Sequence, residues 1–158
     1  LFFKKSGYIT ADWYPYFLTV RRQNKSFSQA YQDGTVSFEA KRIYDVISEH
    51  GAVPLHSIKL LSGLNQKEDK SRFDRALTEL QMRMFITMCA RQQKRSKTGE
   101  AYGWYATVFT PVEQYFSDEV FKKAASLQEA EAANAIQAQI MKLNPRASNK
   151  TIAKFIKG

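Results

Sequence analysis

Four cations with no acid among them, Arg91, Lys94, Arg95 and Lys97, stand between two apolar runs, MFITMCA and YGWYATVF. Lysine and arginine clustered at an exposed turn attract phosphates, because neutralising a polyanion releases its condensed counterions. A second set precedes them in the segment DKSRFDRALTELQMRM. At roughly 100° per residue, Phe73, Ala76, Leu77, Leu80 and Met84 share one side of a helix there. Ser71, Arg75 and Thr78 fall opposite. Arginine can bond guanine through two N–H groups, while serine and threonine hydroxyls serve base edges or phosphates. Lys67, Lys70 and Arg72 cluster at the start of the same helix, in reach of a phosphate backbone. If about six of these cations neutralise phosphates, binding falls with salt with a log–log slope of roughly −5. Asp74 stands on the same polar face and opposes an anion, and Arg75 has Glu79 at helical spacing as a partner.

Other chemistries find little support. The single cysteine, Cys89, lies in an apolar run and reads as a small buried hydrophobe. His50 and His56 sit at a helix end and a helix start. With one cysteine and no cluster at ligand spacing, no metal site is expected. There is no Walker loop, dinucleotide fingerprint, HExxH or Gly-x-Ser-x-Gly pattern, so no cofactor is expected. The carboxylate pairs Asp118/Glu119 and Glu129/Glu131 fall on a solvated helix.

The positioning elements follow from turn and capping residues. Thr10 reads as the cap of an aromatic-rich helix, with Asp12 in its first turn and Pro15 tolerated there. Ser37 caps FEAKRIYDVISEH, in which Ala40, Ile43 and Ile47 form one apolar face, and Gly51 ends it. AVPL is extended. HSIKLLSG is a short helix closed by Gly63, with Leu64 placed for the accompanying apolar contact. The long helix, a strand FITMCA, the basic tip with Thr98-Gly99 turn chemistry, and a strand AYGWYATVF come next. In this reading the apolar strands anchor the hairpin to the core. Residues 117–143 are rich in Ala, Glu and Gln and read as one strong helix capped by Ser117. Pro145 breaks it, and a short helix restarts at Ser148 or Asn149. Five cations and no acid occur from Lys142 onward.

Helix, short strand, helix, longer helix, strand, basic loop, strand is the order of a winged helix-turn-helix. The expected fold class is α+β, mainly α, with an N-terminal helical segment over residues 1–34, a winged helix-turn-helix over 35–116, and a helical extension over 117–158. A chain of 158 residues, 44% hydrophobic, can bury a core. Its 24 lysines and arginines exceed 15 acids by nine charges, which favours a polyanionic partner. Double-stranded DNA suits this order, since a major groove about 12 Å wide admits one helix. One cysteine points to a reducing, cytoplasmic setting, and no stretch is long enough for a membrane span. The chain opens on Leu1 and has too few leading apolar residues for a signal peptide, as in a piece of a longer protein.

At YITADWYPYFLT, YQDGTVSFEAKRIYDVISEHGAVPLHSIKLLSGL and SRFDRALTELQ, the sequence resembles the AlkZ-related family, winged-helix proteins akin to the AlkZ-type DNA glycosylases. The resemblance runs from about Leu1 to Phe116, and the tail looks like the opening of a further winged-helix unit. It implies tandem winged helices that cradle DNA. The true glycosylases excise alkylated purines without a metal, positioning water with a Gln-x-Gln motif near the N-terminus. Here the one such pattern, Gln137-Ala138-Gln139, is on the late helix, where residues two apart point roughly 200° from each other. The resemblance therefore implies a relative that lacks the glycosylase motif. Three readings stay open: a regulatory or repair-associated DNA-binding protein without catalysis, a glycosylase relative with base-excision activity, and a protein-interaction module. A homodimer through the helix from Ser117 to Leu143 is a further option.

Overall fold

A computed structural model describes residues 7–95 and 98–158; of Lys94, Arg95 and Ala101 it describes the backbone alone. The helices are α1 (Tyr14–Arg22), α2 (Phe27–Gln32), α3 (Phe38–His50), α4 (Leu55–Leu61), α5 (Lys70–Met82), α6 (Val112–Tyr115), α7 (Asp118–Ser126), α8 (Glu129–Leu143) and α9 (Asn149–Lys157). The strands are β1 (Val53–Pro54), β2 (Ile86–Arg95) and β3 (Ala101–Pro111), in the antiparallel order β1-β3-β2. The class is α+β, mainly α.

Local chemistry sets the helix ends around α5. Ser37 Oγ accepts the Ala40 N–H at 3.3 Å, and α3 turns Ala40, Ile43 and Ile47 into the core, each fully buried. Burying one such isoleucine stabilises the fold by about 1.5–3 kcal/mol. Gly51 closes α3 at φ 75°. Gly63 closes the α4 turn at φ 64°; the Leu64 N–H reaches back to Lys59 O at 3.1 Å, and the Leu64 side chain is buried. A β-carbon at Gly63 would also stand 2.5 Å from Arg42 Nη2. The left-handed backbone favours glycine there, and any larger residue would also have to displace the end of the Arg42 side chain.

Two apolar clusters form. The first gathers α2 to α5 and the sheet around Ile43, Ile47, Ile58, Phe73, Leu80, Phe85 and Phe109. The second gathers α1 with the C-terminal helices, around Tyr14, Phe17, Leu18, Val112, Ala132, Ile136, Ile152 and Ile156. Met84 joins them. α5 ends at Met82 rather than continuing to Met84, and Met84 takes a left-handed φ of 58° while Phe85 N–H bonds Leu80 O at 2.9 Å. Met84 therefore leaves the apolar face of α5 and is buried in the second cluster. Arg21 ties the same junction: Nε donates to Ile156 O at 3.0 Å, Nη2 to Phe155 O at 2.7 Å and Nη1 to Met82 O at 3.4 Å. A cation at the carbonyl ends of α9 and α5 suits both helix dipoles, though burial lowers its pKa to about 10.

Two sequence expectations need correction in the helical parts. α1 begins at Tyr14, and it is the Thr10 carbonyl that accepts, from Trp13 and Tyr14 N–H at 3.1 Å each; Asp12 thus precedes the first turn. Residues 117–143 do not form one helix. Leu127 and Gln128 are extended, separating α7 from α8. At the break, Ala124 O, the acceptor a continuous helix would offer to Gln128, takes the Leu127 N–H at 3.3 Å and lies 2.8 Å from Thr19 Oγ1 of α1. Ser148 does cap α9, its Oγ accepting Thr151 N–H at 3.3 Å.

Candidate nucleic-acid interface

α5 owes its orientation to both faces. Phe73, Ala76, Leu77 and Leu80 are buried against the first cluster. Glu79 locks it to α3, accepting from Ser37 N–H at 3.2 Å and Ser37 Oγ–H at 2.6 Å, with Arg83 Nε 3.7 Å away. Glu79 is therefore not the partner of Arg75, against the sequence expectation. Arg75 is exposed and has no ion pair among the described residues. Ser71 is exposed beside it, one turn earlier.

A short 3-10 turn, Lys67–Asp69, leads into α5. Asp69 is buried and accepts the Gln66 N–H at 3.3 Å. Its other oxygen accepts Arg72 Nη2, while Arg72 Nη1 lies 4.0 Å from Glu39. Arg72 is thereby drawn back along its own helix, and two carboxylates compensate its charge. Lys67 and Lys70 remain exposed at the helix start. Thr78 is half-buried and its hydroxyl donates to Asp74 O at 2.7 Å, which satisfies its one donor within the helix. Of the six sequence-derived residues in this segment, Lys67, Lys70, Ser71 and Arg75 are thus available to a partner, whereas Arg72 and Thr78 are already engaged.

The hairpin differs from the sequence expectation in an informative way. Only its base is anchored: Ile86, Val108 and Phe109 are buried, and Met88 packs beside them. The remainder of YGWYATVF projects beyond the core, with Tyr102 53%, Trp104 95% and Tyr105 65% exposed. Two irregularities shape it. Met88 pairs with Phe109 and Ala90 with Val108, so Cys89 is an extra residue on β2. Its half-buried thiol lies 3.6 Å from Val108 O, and burial raises its pKa. Further out, Gln92 pairs with Ala106 and Lys94 with Tyr102. Gly103, Trp104 and Tyr105 therefore face the single residue Gln93. Arg91 is exposed on β2, opposite Thr107. Lys94 and Arg95 belong to the β2 backbone, opposite Tyr102 and Ala101; their side chains and Lys97 lie outside the described residues. Gly103 within an aromatic run was the sequence signal for this distortion, since glycine inside a strand marks a bulge.

A cleft of about 450 Å³ runs between residues 7–11 and β2, lined by Tyr8, Tyr14, Arg21, Cys89, Arg91 and Tyr115 among others. No carboxylate or imidazole is among its described lining residues. Gln137 is exposed on α8, whereas Gln139 lines a different, apolar cleft of about 340 Å³ beside Trp13 and Phe17. The two amides thus do not converge on one site. Among the described residues, no group of three His, Cys, Asp or Glu side chains could hold a metal ion, and no helix is long and apolar enough to cross a membrane.

Fold and site together define a mainly helical α+β protein in which packed helices carry exposed cations and an antiparallel ribbon bears exposed aromatics. The chain belongs to the AlkZ-related family, whose model matches residues 1–157. No curated protein and no solved structure matches it.

Proposed function

We propose that this chain binds double-stranded DNA as a winged helix-turn-helix protein in a regulatory or repair-associated role. In this reading residues 35–116 are the binding unit: α3, α4 and α5 form the helical stack and β2–β3 the wing. Beside it, α2 joins its core cluster, while α1 packs with the C-terminal helices of residues 117–158. The observation that carries the reading is the outer face of α5. Arg75 stands unpaired beside Ser71, with Lys67 and Lys70 at the helix start, while neighbouring Arg72 is compensated. A helix of 13 residues, braced by α3 and presenting a free guanidinium, suits a major groove. Arg91, Lys94, Arg95 and Lys97 then meet phosphates from the ribbon. Family membership supports the same partner through the resemblance to AlkZ-type proteins.

The test is anisotropy of a labelled random duplex against salt, wild type beside the Lys94→Ala, Arg95→Ala, Lys97→Ala triple variant. Steep salt dependence that flattens in the variant supports the reading. Duplex binding that is absent at low salt, or unaffected by the triple change, refutes it. Incubating the chain with alkylated duplex and assaying for abasic sites tests the glycosylase alternative.

A further inference from the structure

Gly103, Trp104 and Tyr105 form a built bulge. Gly103 adopts φ 74°, which an L side chain rarely takes. The Gln93 side-chain amide donates to Gly103 O at 2.8 Å and so ties the two strands together at the irregularity. Bulges redirect side chains, and here the result is Trp104 standing 95% exposed with no ring or cation of the described residues against it. Tyr102 and Tyr105 on either side are also exposed. A lone exposed aromatic is ordinary. Three within four residues, held out by a distortion with its own hydrogen bond, form an organised apolar surface.

The charge of the surroundings selects the occupant. Between Ala90 and Thr107 the sequence holds Arg91, Lys94, Arg95 and Lys97 against the single acid Glu100. A partner that offers flat apolar faces within a polyanion is nucleic acid with accessible bases. Paired bases keep their faces within the stack, whereas an unpaired base exposes one. We propose that the bulge of β3 is a stacking site for an unpaired DNA base, with Trp104 as the platform and Tyr102 and Tyr105 beside it. Gln93 is a positioning residue that holds the bulge open. This inference rests on the DNA-binding reading above and adds a preference to it: duplexes containing an unpaired base over fully paired ones.

The experiment measures affinity of the full chain at one fixed salt concentration for two labelled probes, a paired duplex and the same duplex with one extra unpaired base. Wild type, Trp104→Ala, Trp104→Phe and Gln93→Ala are compared. Stacking predicts that wild type favours the unpaired-base probe by roughly ten-fold, that Trp104→Ala erases the preference, and that Trp104→Phe keeps most of it. Gln93→Ala should fall between. In a Trp13→Phe background, Trp104 fluorescence should be quenched by the unpaired-base probe and little by the paired one. Because Trp104 touches little of the fold, melting of Trp104→Ala should match wild type. Equal affinity of wild type for both probes overturns the stacking site while leaving duplex binding intact, as does a preference that survives Trp104→Ala. Equal loss on both probes in Trp104→Ala also overturns it, because the ring would then serve general contact. Binding of neither probe by wild type overturns both this inference and the reading beneath it.

Discussion

Arg72 and Arg75 lie three residues apart on α5, both exposed, and a charge count treats them as equivalent. The structure separates them. Arg72 is held by Asp69, with Glu39 4.0 Å away, so the three groups together carry net negative charge and a phosphate gains nothing there. Arg75 carries its full charge outward. With Lys67, Lys70, Arg75, Arg91, Lys94, Arg95 and Lys97 as the phosphate-neutralising set, the slope of log K against log salt should be about −6, or roughly 10³–10⁴-fold weaker binding between 50 and 200 mM salt. Arg75→Ala should reduce the slope by about 0.9. Arg72→Ala should leave the slope unchanged. Stability reverses the order. Asp69 is buried, so losing Arg72 leaves its carboxylate with the Gln66 N–H alone. That should cost about 1 kcal/mol, the upper end for a pair whose arginine is solvated. Arg75→Ala should cost less than about 0.5 kcal/mol, as for other free surface side chains. Anisotropy titrations at four or five salt concentrations read the first quantity, and urea melts read the second. If the two variants change the slope equally, Arg72 is not compensated as the geometry requires and the reasoning fails.

Three further outcomes follow from packing elsewhere in the fold. Gly63→Ala should destabilise by about 1–2 kcal/mol, from the left-handed backbone alone and before any displacement of Arg42; a chemical melt with unchanged midpoint would contradict this. Glu113 lies 2.7 Å from Arg22, whose side chain is 9% exposed and stacks 4.6 Å above Phe85. Glu113→Gln should therefore cost about 1–3 kcal/mol by leaving that guanidinium without its counter-charge, and thermal unfolding would show it. Burial pushes the Tyr44 pKa up to about 12, with Glu113 adding to the effect. Its contribution is then complete below pH 10 and lost as pH rises through about 12, because the unfolded chain releases the proton first. Tyr44→Phe should lessen the loss of stability between these pH values, read by melts alongside phenolate absorbance.

Much of the first cluster was legible because its determinants are local. Ser37, Gly51 and Gly63 announce helix ends by capping chemistry, and the spacing of Ala40, Ile43 and Ile47 names a buried face without reference to anything distant. The candidate interface was half legible. Lys67, Lys70, Ser71 and Arg75 stand exposed as their helical positions indicated. Arg72's second carboxylate, Glu39, lies on another helix and comes near it only once α3 and α5 are packed, whereas Asp69, three residues earlier, is local. The exposure of the ribbon aromatics is likewise hidden from a reading of periodicity. An apolar run reads as an anchor when strand alternation is assumed, and the bulge breaks that alternation.

Composition, periodicity and capping residues therefore dictated the helical stack, the hairpin, the excess of positive charge and where the cations fall along the chain, since each arises from contacts within a few residues or from charge alone. Three-dimensional packing decided which of those cations stay free, where the helix from Ser117 would break, that Met84 passes from one cluster to the other, and that Trp104 faces solvent. Each of those outcomes depends on groups far apart in the chain competing for the same hydrogen bond, counter-charge or volume, and such competition exists only after the chain has closed on itself.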